Sequence, residues 1–249
     1  MDSLAALRLQ IEWGADEALD DQPRDHFRPT PAIPVAAKPV AAASRPAPAA
    51  VRGQAVAAPA GSLAELLAAL DAFDGCALRN TATTTVRPDG SPAAKLVLVA
   101  DAPDADDDRA GTAFAGVAGQ TLDRVLRSAG LDRTSVLLTH LVPWRPPGGR
   151  APTDAEIQAC LPFVVRLLQI VRPERLIVLG SAAAKALTGS NDSIRRLRGR
   201  WLEATLPNFD SPVSVLPMPP WDQWLRSPAA KRDIWTDLLA IRQVMDASN

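Results

Sequence analysis

Four short, mostly apolar runs set the frame of this chain: Leu96-Val97-Leu98-Val99-Ala100, Ser135-Val136-Leu137-Leu138-Thr139, Arg175-Leu176-Ile177-Val178-Leu179 and Val213-Ser214-Val215-Leu216. Runs of this length and apolarity predict strands buried on both faces. Between them, apolar residues recur at helical spacing. Leu122, Val125 and Leu126 share a face over about Gln120 to Ala129, and Ile157, Leu161, Val164, Val165, Leu168 and Val171 do so after Thr153. A short helix is expected over Ala182 to Leu187. A last one, about Pro228 to Met245, carries Ile234, Leu238, Leu239 and Ile241. Strands alternating with helices predict a parallel sheet between helix layers. The strand ends then bring four loops to one edge: Asp101–Gly119, His140–Arg150, Gly180-Ser181 and Met218–Arg226. In open sheets of this class ligands bind beyond the carboxyl ends of the strands.

Upstream of the first strand the pattern changes. Leu4, Leu7, Ile11 and Trp13 predict an amphipathic helix within residues 1–20, which either docks on the main body or binds a partner. Residues 21–61 are rich in Pro and Ala, with too little large apolar surface to offset ordering entropy, and read as a disordered linker. The main domain is expected over 62–249. It opens on the capping-box pattern Ser62-Leu63-Ala64-Glu65, followed by Leu66, Leu67, Leu70 and Phe73. Thr81 to Val86 reads as an extended segment ending in a Pro88-Asp89-Gly90 turn. The stretch RRLRGRW at 195–201 reads as a hairpin-like excursion.

Composition adds limits. A net charge of −1 assigns no partner by bulk electrostatics. Cys76 and Cys160 are too few for a disulfide framework or, alone, for a metal site. No apolar run is long enough to span a membrane, and the first residues lack a signal-peptide pattern, so the expected compartment is the cytoplasm.

The loops hold candidate chemistry. Asp101 at a strand end suits a general base or electrostatic stabiliser, or a turn former. Phe114, among small residues, is a candidate stacking platform or a satellite core residue. His140, at another strand end, can hydrogen-bond a ligand or serve structure. Arg145, Arg150, Arg198, Arg200 and Arg226 form a candidate phosphate-binding rim. Trp144, Trp201, Trp221 and Trp224 lie near them, a combination suited to single-stranded or distorted nucleic acid. Asp104, Asp106, Asp107 and Asp108 oppose phosphate binding unless they turn away or pair with Arg109.

Several ordered blocks go further. DAPDADDDRAGTAFAGVAGQTLDRVL, GLDRTSVLLTHLVPWRPPGGRAPTDAEIQACLPF, RPERLIVLGSAAAKALTG, IRRLRGRW and LRSPAAKRDIWTDL together resemble family 4, the iron–sulfur type, of the uracil-DNA glycosylase superfamily. The resemblance covers roughly Phe73 to Met245. It implies a three-layer αβα sandwich with a central four-stranded parallel sheet. It also implies hydrolysis of the N-glycosidic bond of a base flipped out of DNA, because the reacting carbon is inaccessible in the stack. By resemblance, Asp101 is the acidic residue that positions water, Phe114 stacks on the base, and His140 stands for the Asn that reads uracil. The backbone at Ala102 to Asp104 approaches the base.

The departures imply changed chemistry. Ala100 and Asp104 replace glycines, and a side chain at 104 narrows the approach to a base. Neutral His140 offers one donor and one acceptor in a different shape from Asn. Met218-Pro219 stands where the family closes on His-Pro, and losing such a charge-stabilising partner costs roughly 100- to 1,000-fold in rate. Cys76 and Cys160 match two cluster ligands, but Arg79 and Trp144 occupy the other two positions, so the cluster is expected to be lost. The resulting expectation is a monomeric base-excision repair hydrolase of weakened activity. It would act on uracil or another deaminated base in uracil-containing or single-stranded DNA, with no membrane association. The alternative is an inactive member that binds DNA or a repair partner.

Overall fold

The computed structural model describes residues 48–224 and 227–246, together with Leu4, Arg8, Glu12 and Trp13. The chain divides into two units, residues 1–45 and 46–249. In the first, Leu4, Arg8 and Glu12 are helical. The rest of the expected N-terminal helix, and the expected linker as far as residue 47, lie outside the described residues.

The second unit is built on a six-stranded sheet. Its strands are β1 (Asp89–Gly90), β2 (Leu96–Ala100), β3 (Val136–His140), β4 (Arg175–Leu179), β5 (Leu202–Ala204) and β6 (Val213–Met218). They lie in the order β1-β3-β2-β4-β6-β5. The four expected strands make the central parallel sheet, with Leu98 of β2 level with Leu138 of β3 and Ile177 of β4. β1 and β5 add antiparallel edges. The chain leaves β2 for β3 on one side and returns to β4 on the other. A crevice therefore opens between the β2 and β4 ends, the usual ligand position in such sheets.

Alternate strand residues feed two cores, as the period of two requires. Val97, Val99, Leu137, Leu176, Val178 and Val215 face one. It is closed by α1 (Ala49–Ala57), α2 (Leu63–Ala72), α5 (Asp154–Val171) and α6 (Ser181–Thr188). Leu98, Leu138, Ile177 and Leu216 face the other, closed by α4 (Gly116–Ser128) and α8 (Pro228–Asp246). Two short helices, α3 (Ala105–Ala110) and α7 (Ile194–Leu197), sit in the connections.

Several local expectations change. α1 lies inside the stretch assigned to linker. Its alanines favour helix once a neighbour buries one face. Gly53 is that contact, since a Cβ there would come within 2.5 Å of the Ala159 carbonyl oxygen on α5. Asp89-Gly90, read as a turn, pairs with Leu138 and Leu137 as an edge strand, whereas Thr81–Val86 forms no strand. RRLRGRW divides into α7 and the approach to β5 rather than a hairpin of its own. The Asp101–Gly119 loop contains α3 because Asp104 caps it. The Asp104 carboxylate accepts from the N–H groups of Asp106 and Asp107 at 2.8 and 3.0 Å, and the Asp107 carboxylate accepts from Asp104 N–H at 3.2 Å. This reciprocal box satisfies N–H groups that the helix leaves unpaired.

Candidate active site

The crevice is a cavity of about 470 Å³ at the carboxyl ends of β2, β4 and β6. Asp101, Leu179, Arg145, Arg150, Trp221 and Asp222 are among its walls, with the backbone turn Ala102–Asp104. Its size falls in the range of small-molecule sites.

Asp101 follows the last residue of β2 and reaches across to β4. Its Oδ1 accepts a hydrogen bond from Ala183 N–H at 2.7 Å, in the first turn of α6. A helix N-terminus favours negative charge there. Burial nevertheless dominates and raises the proton affinity of this carboxyl above the ordinary Asp range, against the opposing pull of the Ala183 and Ala182 N–H groups. Gly180 makes the approach possible. It has φ +118°, and a Cβ there would lie 2.2 Å from Asp101 Oδ2. The result is a half-buried carboxylate, fixed in direction and readier than usual to take a proton.

The second group of residues lies behind this wall. Phe114 is 1% exposed and His140 5% exposed. Their rings stack with centroids 5.2 Å apart and planes inclined by 15°. His140 Nε2 is 3.2 Å from Asp107 Oδ2, both side chains being buried. Asp107 also accepts from Ala115 N–H at 2.7 Å. Burial works against ionisation of Asp107, but the His140 contact and the two backbone N–H groups hold its carboxyl below the usual range. Phe114 has φ +54°, a backbone conformation costly for a bulky residue. It is held by Asp107 on one side and by Arg133, whose guanidinium donates to the Phe114 carbonyl at 2.8 Å, on the other. The structure thus brings Phe114 and His140 together, but neither lines the cavity that Asp101 opens on.

The acidic run does not confront that cavity as a block. Asp106 pairs with Arg109. Asp107 is the hub just described. Asp108 is buried and accepts from Thr83 N–H and Thr83 Oγ1, both at 2.9 Å. Asp104 is spent on its cap, although its residue borders the opening.

The arginines separate. Arg145 and Arg150 reach the cavity. Arg150 forks onto Glu156 at 2.8 and 2.6 Å, and this contact chiefly holds the Glu156 carboxyl down at about 2. Arg145 makes no ion pair with any described residue, and its Nε is buried without a partner. Arg198 is tied to Asp233 at 2.8 Å and Asp237 at 3.2 Å, next to a different cavity. Arg200 is exposed. Arg226 lies outside the described residues. Met218, at the end of β6, is 1% exposed and packs in the second core.

The positions that correspond to cluster ligands form a separate packing site. The Cys76 and Cys160 thiols are buried, and the hydrogen bond between them, with burial, holds Cys160 well above the usual thiol range. Arg79 instead donates to the carbonyls of Asp71 at 2.5 Å and Phe73 at 2.8 Å, closing the end of α2. Trp144 is buried and donates from Nε1 to Thr85 Oγ1 at 3.1 Å. Neither an indole nor a guanidinium ligates iron, so this donor set does not fit a four-iron cluster. Among the described residues, no three His, Cys, Asp or Glu side chains gather to hold a metal ion.

The sequence names three contributors without their roles: Asp107 as a hub, Trp221 as a cavity wall, and Gly180 as the close neighbour of Asp101. An Asp104-x-x-Asp107 capping pattern was available for the first. Gly180 directly after an apolar run was a signal for the last.

Comparison with known proteins agrees with this architecture. The sequence model of the uracil DNA glycosylase superfamily matches residues 87–239. The chain is 39% identical over 114 residues to a type-4 uracil-DNA glycosylase of Pyrobaculum aerophilum, covering 46% of this chain and 58% of the relative. It is 36% identical over 132 residues to one of Archaeoglobus fulgidus, covering 51% and 66%. With one of Thermotoga maritima it shares 32% over 140 residues, covering 54% and 73%. The matched part therefore spans less than two thirds of the first two relatives.

Proposed function

The chain belongs to the uracil DNA glycosylase superfamily and resembles its family 4, and from that premise we propose that it hydrolyses the N-glycosidic bond of uracil, or another deaminated base, extruded from DNA. The observation that carries the proposal is Asp101. It is a fixed carboxylate of raised proton affinity on a cavity at the switch point of the sheet. In this reading Asp101 orients a water molecule and takes its proton. The water oxygen bonds to C1′ as the bond from C1′ to the base nitrogen breaks, and the bonding electrons leave with the base. Arg145, which makes no ion pair among the described residues, and Arg150 approach the phosphates beside the cavity. The ion pairs of Arg198 argue for a structural role there instead. Single-stranded or locally opened DNA is the favoured substrate, because extrusion from an intact duplex adds an unstacking cost.

Met218 is buried among apolar residues and donates nothing to the departing base. Lacking that donor, the reaction should run roughly 100- to 1,000-fold below a site that has one. The test is strand scission by alkali after incubating uracil-containing single-stranded and duplex DNA with excess protein. Slow, single-turnover scission of the uracil strand alone is expected. No scission at any excess would sink the reading.

We propose further that this member works without an iron–sulfur cluster, because two of the four ligand positions are Arg79 and Trp144. Protein purified without oxygen should carry no stoichiometric iron and no visible charge-transfer absorption. Stoichiometric iron with sulfide would reject the proposal.

A further inference from the structure

The aromatic residue expected to meet the base is not the one that borders the cavity. Phe114 is 1% exposed, and one face of its ring is covered by His140 at a centroid distance of 5.2 Å. A base inserted between them needs about twice the usual stacking separation. Opening the pair would strain contacts that the fold has fixed: His140 to Asp107 at 3.2 Å, Ala115 N–H to Asp107 at 2.7 Å, and Arg133 to the Phe114 carbonyl at 2.8 Å. The buried Asp107 carboxylate would lose its imidazole partner, a costly change in a dry interior.

The cavity beside Asp101 already has an aromatic wall. Trp221 is half-buried, packs partly on the second core and lines the opening. It begins a short 3-10 turn, Trp221–Gln223, whose position is fixed when Trp224 Nε1 donates to the Pro219 carbonyl at 2.8 Å. An indole supported in this way loses little freedom on binding a planar ring. The same walls include Arg145, a cation without an ion pair among the described residues, which matches the carbonyl-rich edge of uracil.

We infer that Trp221, not Phe114, is the platform on which the extruded base stacks, and that the base lies in the outer cavity against Asp101. Phe114 and His140 then stay closed on each other behind its wall. The inference rests on the glycosylase reading, and its test separates the two. Binding is measured by anisotropy with a labelled single strand carrying one 2′-fluoro-deoxyuridine, which resists hydrolysis. It is compared with the same strand bearing a tetrahydrofuran abasic mimic.

The wild-type protein should prefer the base-bearing strand about 10- to 100-fold, the scale of one base–aromatic stack. Trp221→Ala should bring the preference to about one, Trp221→Phe should keep most of it, and Phe114→Leu should keep it within about threefold. Thermal melting of each variant confirms folding, and Trp221→Phe guards against a collapse caused by truncation. Loss of the preference in Phe114→Leu but not in Trp221→Ala overturns the inference, as does a wild-type protein with no preference. A preference that depends on Trp221 in a protein that never cleaves uracil DNA would leave the inference standing and reject the glycosylase reading. Cleavage with Trp221→Ala unchanged in both assays would do the reverse.

Discussion

Asp101→Asn is expected to lower single-turnover uracil excision by roughly 100- to 10,000-fold, the span attributed to a positioned general base, while the domain stays folded. The amide oxygen of Asn can still accept the Ala183 N–H that Oδ1 accepts at 2.7 Å, so the substitution removes the proton acceptor and keeps the cap on α6. The pH dependence gives the same residue a second signature. Excision requires ionised Asp101, so the rate falls as pH drops through the folded pKa. Burial raises that pKa, which moves the acid limb above the ordinary value of 3.8. For stability the sign is opposite. A raised folded pKa means that the native state holds the proton more tightly than the unfolded chain does. The stabilising contribution is complete below the unfolded pKa and is lost as pH rises through the folded one. Asp101→Asn removes this term, so at neutral pH its melting temperature should equal or exceed that of the wild type. Gly180→Ala provides a check from the other side. Its Cβ would stand 2.2 Å from Asp101 Oδ2 at φ +118°, so it should displace the carboxylate and slow excision with Asp101 still present. Excision by Asp101→Asn at the wild-type rate, or its loss only through unfolding, would remove Asp101 from the mechanism.

The frame that holds Asp101 was legible because its information is local. An apolar run followed at once by Asp101 and Pro103 announces a buried strand and its end, and three further runs repeat the signal. The parallel core β3-β2-β4-β6 follows from that pattern. Elements that depend on a distant surface were not legible. α1 is a helix because Gly53 lets it press against α5, about a hundred residues later in the chain, and its own composition reads as linker. β1 is two residues that only β3 turns into a strand. The site divides in the same way. The position of Asp101 at a strand end is a local fact. The closure of Phe114 against His140 is not, because it depends on Asp107 reaching both the imidazole and Ala115 N–H. Four acids in five residues suggested repulsion toward phosphate. Their destinations, a cap, an ion pair, a hub and a loop clamp, are set by partners that periodicity does not show.

Trp144→Ala should be the most destabilising single change near the ligand positions that resemble a cluster site. The indole is 1% exposed and packs in the first core with Cys76, Leu78 and Cys160. Truncating a buried Trp costs about 3–5 kcal/mol through lost burial and the cavity left behind. For a domain of this size that corresponds to a fall in melting temperature of roughly 6–20 °C. The loss is local in origin but wide in reach. Trp144 Nε1 donates to Thr85 at 3.1 Å, and one residue before it the Pro143 carbonyl accepts from Val86 N–H at 2.8 Å, so the indole helps fasten the segment after Cys76 to the loop after β3. A metal cluster joins such segments by ligation. In the cluster-free protein proposed above, apolar packing and the Arg79 hydrogen bonds to Asp71 and Phe73 join them instead. Two measurements separate these cases. Treatment with a strong iron chelator should leave the wild-type melting temperature unchanged, and Trp144→Phe should fall between the wild type and Trp144→Ala. Trp144→Cys should not recover stability when iron and sulfide are supplied, because Arg79 still stands at the fourth position. A Trp144→Ala protein melting within about 2 °C of the wild type, well short of the fall expected for a lost core tryptophan, would mean that something other than the indole holds this junction.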